Sequence, residues 1–448
     1  MTRTRNKGES SFFVCIMNAK EVLNMKYVIT NAKVLNGHKD MQVEEGKYIH
    51  VQNGLIEEIS DTPEPGYEVI DLQGKYLLPG LINMHVHLAG NGAHSGKQKD
   101  NKKTVDFLFS NPITKAIAYK MVCNFAKLEL YGGVTTIRTV GGLKDLDTRL
   151  REEIKAGTKT GPAILAGNEG ITVEGGHMAG SVARVAKNNE EAVRFVEDSY
   201  AQNVDLVKLM VTGGVLDATE KGVPGEMKMP EDMIQAICDK AHALGLLTSA
   251  HVESTQGIKA ALRNGVDSIE HGAQPDQEMM DLFKQKGAFL ITTLSPALPF
   301  ALFDQSVSKV NDVQLFNGKM VFDGIVECSK AALENGIPVG LGNDVGCPWI
   351  TQYDFYRELV YFHKYVGVTN AFALYTATLQ NAILAGIGDI TGSIDEGKHA
   401  DMIVVKENPL EDLNALKHID LVFAKGKMVH PKFRRDKEID EKLDVFCQ

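Results

Sequence analysis

From Gly80 onward the chain repeats one local pattern: a helical stretch closes on glycine and turns at once into an apolar, strand-like run. Leu130-Tyr-Gly-Gly-Val-Thr-Thr-Ile, Ala243-Leu-Gly-Leu-Leu-Thr-Ser, Arg263-Asn-Gly-Val-Asp-Ser-Ile, Lys286-Gly-Ala-Phe-Leu-Ile and Glu334-Asn-Gly-Ile-Pro-Val all follow it. Glycine supplies the left-handed residue that ends a helix. Pro230-Glu-Asp and Asp276-Gln-Glu put proline or acids into first helical turns. Strands are expected near residues 81–88, 133–139, 162–167, 204–212, 246–252, 266–271, 287–293 and 337–344. Eight strands alternating with helices over about 260 residues predict an α/β chain folded as a (β/α)8 TIM-like barrel. A doubly wound open sheet would bring a Gly-rich phosphate turn after an early strand, and the sequence has none.

The flanks read differently. Tyr27-Val-Ile, Ala32-Lys-Val-Leu, Lys47-Tyr-Ile-His-Val, Leu55-Ile-Glu-Glu-Ile and Tyr67-Glu-Val-Ile are short β runs separated by Asn-Gly, Glu-Gly and Pro-Gly turns. After a last helix at 370–384, Ala400-Asp-Met-Ile-Val-Val and Leu421-Val-Phe-Ala return to the β pattern. The expected organisation is a small β domain from residues 25–79 with 388–432, a barrel at 80–387, a loose extension at 1–24 and a tail at 433–448.

The charge balance, 48 Lys+Arg against 58 Asp+Glu for a net −10, argues against a nucleic-acid or anionic-membrane partner. No apolar run reaches the length of a bilayer span. Six cysteines, Cys15, Cys123, Cys238, Cys328, Cys347 and Cys447, are scattered without a C-x-x-C pair. That usage fits reduced thiols and a cytoplasmic location. A homo-oligomer is compatible with such a chain.

Chemistry is concentrated where barrel strands end, the face on which such barrels build active sites. His85 and His87 sit two apart in Leu81-Ile-Asn-Met-His-Val-His87, so one strand face can present both imidazoles. Lys208 interrupts the apolar run Asp205-Leu-Val-Lys-Leu-Met-Val; His251, His271 and Asp344 end three further strands. Singly, each has a plain alternative: a hydrogen-bonded structural histidine, a turn-capping aspartate, a solvent-facing lysine. Four His, one Lys and one Asp on the ends of five strands point together to a divalent-metal centre.

Pro79-Gly-Leu-Ile-Asn-Met-His-Val-His87, Val207-Lys-Leu-Met-Val-Thr-Gly-Gly214, His251, Ile269-Glu-His-Gly272, Gly342-Asn-Asp344 and Gly392-Ser-Ile-Asp-Glu-Gly-Lys-His-Ala-Asp401 resemble the amidohydrolase superfamily. The similarity is greatest to its prolidase (Xaa-Pro dipeptidase) and imidazolonepropionase-related branch, and runs from about Met25 to about Pro431. It implies a barrel joined to a β-sandwich made from both chain ends, and two divalent ions, of which zinc is the first expectation. His85, His87 and Asp344 would hold the more buried ion, and His251 and His271 the other. Lys208, carboxylated on its amine, would bridge them. Asp344 would take a proton from a metal-activated water and pass it to the leaving amine.

The implied reaction is hydrolysis of a C–N amide bond in a small molecule, a dipeptide or an N-acyl amino acid. His177, in Gly175-Gly-His, is a candidate contact to the scissile carbonyl or else a loop residue without a role. Arg138, ending Thr135-Thr-Ile-Arg, would grip a substrate carboxylate or form an internal ion pair. The apolar segments after strands seven and eight would form a substrate wall or simply pack over the barrel mouth, and Cys347 has no base partner. Two departures lie on the substrate side: His251-Val-Glu-Ser has Glu where many prolidase-like chains carry a further His, and no Tyr follows Gly214. The alternatives are a mononuclear deaminase or imidazolone-ring hydrolase, which usually lacks the lysine, and a non-catalytic relative, which would have lost a ligand.

Overall fold

The computed structural model describes residues 25–93 and 100–448; the expected loose extension 1–24, with Cys15, lies outside them. Ten short parallel strands form the scaffold of the site. Seven make one sheet, ordered Ala183–Val185, Gly170–Thr172, Leu206–Met210, Leu247–Val252, Ser268–His271, Phe289–Thr292 and Val339–Leu341. Three more, Leu81–Val86, Val134–Thr139 and Ala163–Leu165, make a second. The strands at 81–86, 134–139 and 206–210 are buried at every residue, as strands covered on both faces must be. The helix closures expected from sequence are present: Gly133, Gly245, Gly265, Gly287 and Gly336 all have positive φ.

The eight-strand ladder expected from sequence is not continuous, and side-chain amides explain the break between the first and last strands. Asn381 donates to Ile82 O (2.7 Å) and Leu341 O (2.8 Å) and accepts from Leu341 N (2.9 Å). Asn83 donates to Asn343 Oδ1 (2.8 Å) and accepts from Asn343 N (3.3 Å). These amides supply partners that a backbone ladder would otherwise provide. Beyond them, Asp344 N donates to His85 O (3.0 Å) and His87 N to Val345 O (3.1 Å). The two sheets therefore meet at the residues that carry His85, His87 and Asp344. Two strands, 170–172 and 183–185, and the strand Tyr76–Pro79 were not foreseen.

A pair of smaller sheets draws on both ends of the described chain. One is ordered Leu55–Ser60, Tyr48–Gln52, Lys26–Thr30 and Glu68–Asp71; the other Lys427–Val429, Leu421–Ala424, Met402–Val405, Tyr76–Pro79 and Lys33–Val34. Ile29, Ile49 and Ile56 of the first pack in one core with Leu77, Met402, Val404 and Phe423 of the second. Tyr76–Pro79 runs through Gly80 straight into Leu81–Val86. A Cβ on Gly80 would lie 2.1 Å from Thr135 Oγ1, so only glycine fits that junction. Residues 433–448, expected as a tail, include the helix Lys437–Leu443. Arg357 donates to Asp440 (2.9 Å) and Asp444 (2.8 Å), and Asp436 N donates to Tyr353 Oη (2.8 Å), which ties this segment to the loop and the helix Phe355–Tyr361 that follow the last parallel strand.

Candidate metal centre

Strand alternation carries His85 and His87 to one side, and their acceptors set their tautomers. His85 Nδ1–H donates to Glu270 Oε2 (2.8 Å) and His87 Nδ1–H to Gly141 O (2.8 Å). Carboxylate and carbonyl oxygens only accept, so each ring carries a proton on Nδ1 and turns Nε2 into the cleft. Those Nε2 atoms lie 3.5 Å and 3.1 Å from Asp344 Oδ1. His271 is fixed by Thr293 Oγ1 at Nδ1 (2.7 Å) and brings Nε2 to 2.7 Å from His251 Nδ1. His85 and His271 rings stand 4.9 Å apart, so the four imidazoles form one cluster.

Two residues of the cluster sit in left-handed backbone, His271 at φ 73° and Asp344 at φ 53°. Such geometry costs of the order of 1–3 kcal/mol in a non-glycine residue and gathers at functional sites. At His271 it has a visible purpose. Successive strand residues face opposite sides, yet Glu270 and His271 both serve this cleft, and the altered backbone makes that possible.

Burial governs the charges. It pushes the His85 imidazole down to about 4, helped by the Lys208 ammonium. His251 and His271 are driven well below the usual histidine value by burial first, with neighbouring imidazoles and Lys208 acting in the same direction. All three rings are thus held in the neutral form that ligates metal. Burial alone would raise Asp344, but the His85, His87 and His271 rings around it outweigh that and hold the carboxyl well below its normal range. Its Oδ1 has no hydrogen-bond partner.

Lys208 is 1% exposed, and its Nζ has no hydrogen-bond partner among the described residues. Burial brings its amine down to about 8, with Arg138 acting in the same direction and Glu270 and Asp344 against it. A buried ammonium without partners is costly. The amine, the four imidazoles and an anionic carboxylate fit a divalent-cation site, and His85, His271 and Asp344 place ligand atoms within 4.8 Å of one another.

Arg138 does not open toward a substrate. It is buried, with Nε donating to Met84 O (2.7 Å), one terminal nitrogen to Ser268 Oγ (3.2 Å) and the other to Glu270 Oε1 (2.7 Å). Of the two readings offered from sequence, the internal ion pair is the one these contacts display. Glu270, passed over in the sequence as a mere neighbour of His271, is the hub: it also accepts from Ser249 (2.7 Å) and Ser268 (2.6 Å) while orienting His85. His177 lies at the rim, stacked on His251 (4.1 Å between ring centres, 7° apart), with Nδ1–H donating to Asp217 (2.5 Å). The segments after strands seven and eight are packing: Phe300, Phe303, Trp349, Phe355 and Tyr356 are buried, and Trp349 stands edge-on to Phe303 at 4.9 Å. Cys347 stays a thiol, its value raised by burial and by Asp344.

The chain matches the amidohydrolase family over residues 76–429. It is 25% identical over 383 residues to ochratoxinase of Aspergillus niger, covering 79% of this chain and 75% of that one. It is 22% identical over 417 residues to imidazolonepropionase of Thermoplasma acidophilum, covering 88% and 91%. Among solved structures, a Bifidobacterium longum protein assigned to the prolidases superposes with a TM-score of 0.83 at 34% identity, over 95% of this chain and 99% of that one. A Xaa-Pro dipeptidase with methionine in its active site gives 0.78 at 27% identity, over 90% and 100%. The family match begins in the small sheet at Tyr76, takes in all ten strands of the scaffold and returns to that sheet at Val429: the chain belongs to the amidohydrolase family.

Proposed function

We propose that this hydrolase cleaves the C–N amide bond of a dipeptide, Xaa-Pro-like, or of an N-acyl amino acid, using two divalent ions. The hydrolase class comes with the family; the substrate and the ion count are the proposal. The observation that carries it is Lys208, a buried amine with no partner among neutral imidazoles. Deprotonated, that amine can add carbon dioxide to give a carbamate and a proton, which turns an unpaired cation into an anionic ligand.

His85, His87 and Asp344 would hold one ion, His251 and His271 the other, and carboxylated Lys208 would join the two. When bound, the ions would supply Lewis acidity at the scissile carbonyl and lower the pKa of a water. Asp344, anionic and with Oδ1 unpartnered, takes the proton from the attacking water and returns it to the leaving amine. Glu270 and Arg138 hold the His85 ring in register. His177, stacked on His251 at the rim, would meet the substrate carbonyl oxygen. In this reading residues 80–387 carry the chemistry, and 25–79 with 388–432 form a supporting domain. Similarity to prolidase and Xaa-Pro dipeptidase structures supports the substrate class. A mononuclear ring hydrolase would leave Lys208 without a role.

The test is a screen of dipeptides and N-acyl amino acids with zinc-loaded protein, reading release of the free amino acid. Turnover of some members is expected. Turnover of imidazolone rings or of amino-heterocycles alone, with no linear amide cleaved, would overturn the proposal in favour of the mononuclear alternative. Among the described residues no helix is long and apolar enough to cross a membrane.

A further inference from the structure

Glu253 follows the strand Leu247–Val252 by one residue and stands two past His251, the same spacing as His85 and His87. An extended segment carries i and i+2 to one side. A carboxylate oxygen of Glu253 and one nitrogen each from His251 and His271 lie within 4.8 Å of one another. Glu253 Oε2 is buried and has no hydrogen-bond partner. Apart from a backbone hydrogen bond from Val215 N–H, the groups acting on this carboxyl group are the like-signed Asp344 and Asp217. Glu253 Oε2 is thus an open oxygen beside two imidazole nitrogens, the arrangement a cation held by His251 and His271 would meet.

The backbone is held where this carboxylate needs it. Glu253 N donates to Thr212 Oγ1 (3.1 Å). Gly225 packs so closely that a Cβ there would come within 2.4 Å of the Glu253 carbonyl group. Two histidines and one glutamate are a complete protein ligand set for a catalytic zinc with a position left open.

We infer that Glu253 is a direct ligand of the ion held by His251 and His271. The inference rests on the two-ion reading above and adds an anionic ligand to the second ion independent of Lys208 carboxylation. That ion is then held by a carboxylate even when Lys208 is an uncharged amine, and the site gains one negative charge facing substrate.

The test titrates cobalt, and separately zinc, into chelator-stripped wild-type, Glu253→Gln and Glu253→Ala proteins. Bound metal is read by elemental analysis and the cobalt site by its visible spectrum. Two ions are expected in the wild type. Loss of a group that merely orients a ligand costs 10–100-fold in metal affinity, so loss of a direct ligand should weaken the second ion by more than about 100-fold in Glu253→Ala. Glu253→Gln should fall between, because an amide oxygen is a weaker ligand, and its near-identical shape keeps the test valid if the alanine variant fails to fold. The first ion, on His85 and Asp344, should bind unchanged in both. Second-ion affinity within a few-fold of wild type in both variants would overturn the inference while leaving the two-ion reading intact. So would a Glu253→Gln protein with normal metal affinity and a raised KM confined to substrates with a free ammonium, which would make Glu253 a substrate contact. Only one ion in the wild type would remove both readings.

Discussion

Replacing Lys208 by methionine should make the metal-free protein more stable while abolishing its chemistry. Burial brings the folded-state amine from 10.5 to about 8. At 1.36 kcal/mol per pH unit this corresponds to roughly 3 kcal/mol against folding whenever the amine is protonated in both states. For a lysine whose folded pKa is depressed, the penalty is fully present below pH 8. Between pH 8 and 10.5 the unfolded chain binds the extra proton, so stability rises with pH and the penalty fades. Above 10.5 both states are neutral and it is gone. Methionine has a similar length and no charge to bury. With unfolding entropies near 2.1 cal/mol/K per residue, ~3 kcal/mol over this chain raises the melting temperature by about 3 °C at pH 7. The assay is thermal unfolding of both proteins in chelator-treated, carbon-dioxide-free buffer from pH 7 to 10.5. A variant melting at or below the wild type at pH 7, or a gain that does not shrink toward pH 10.5, would show that Lys208 is not a strained buried cation.

Lys208→Ala should weaken the second ion and lose nearly all amide hydrolysis, and short carboxylic acids should restore part of the rate by replacing the bridge; near-normal turnover without them counts against the carbamate. Arg138→Met leaves buried Glu270 without its arginine counter-ion, and breaking such a pair costs about 3–5 kcal/mol; urea unfolding should record that loss, whereas a stability unchanged within 1 kcal/mol, together with a KM rise for carboxylate substrates, would return Arg138 to the substrate side. Asp344→Asn at saturating metal should lose about 10²–10⁴-fold in kcat, the usual contribution of general acid–base catalysis, while a rate within a few-fold of wild type would move the proton shuttle elsewhere, His177 first. In the wild type the Asp344 carboxyl titrates well below its ordinary range, so activity should not fall through protonation of this group between pH 7 and 5; a kcat profile falling with a midpoint in that window would assign the loss to another group.

What sequence made legible was periodic or terminal. Helix-ending glycines and apolar strands repeat, so the βα alternation and six polar strand-end residues could be found without contacts. His85, His87, His271 and Asp344 lie together because strand ends in a parallel array share one face. The flanking β runs were readable as strands, and the pairing of Met402–Val405 with Tyr76–Pro79 repeats the joining of chain ends that the resemblance implied. The helix at 437–443 was not visible. Its anchors are ion pairs to Arg357 and a contact at Tyr353, more than eighty residues away, and local pattern carries no trace of such partners.

The misses at the site share a physical cause. Glu270 and Arg138 are charged residues inside strands, where a strand reading expects either solvent or a ligand. They satisfy one another instead, across a separation of 132 residues. Asn381 replaces a stretch of backbone ladder with its side chain, and Asn83 with Asn343 does the same. An asparagine doing so is identical in sequence to one capping a turn. With that substitution goes the ladder break between the first and last of these parallel strands, one of the two places where the sheets part, and the benefit sits at the same place. Without an unbroken ladder, Asp344 can take up its left-handed backbone beside His85 and His87. Restoring regular pairing there, for instance by Asn381→Val, would remove the amide from Leu341 and Ile82 and leave their buried groups unpaired. Position 344 would then lose its support from below, so activity and first-ion affinity should fall together even though residue 381 touches neither Asp344 nor the histidines.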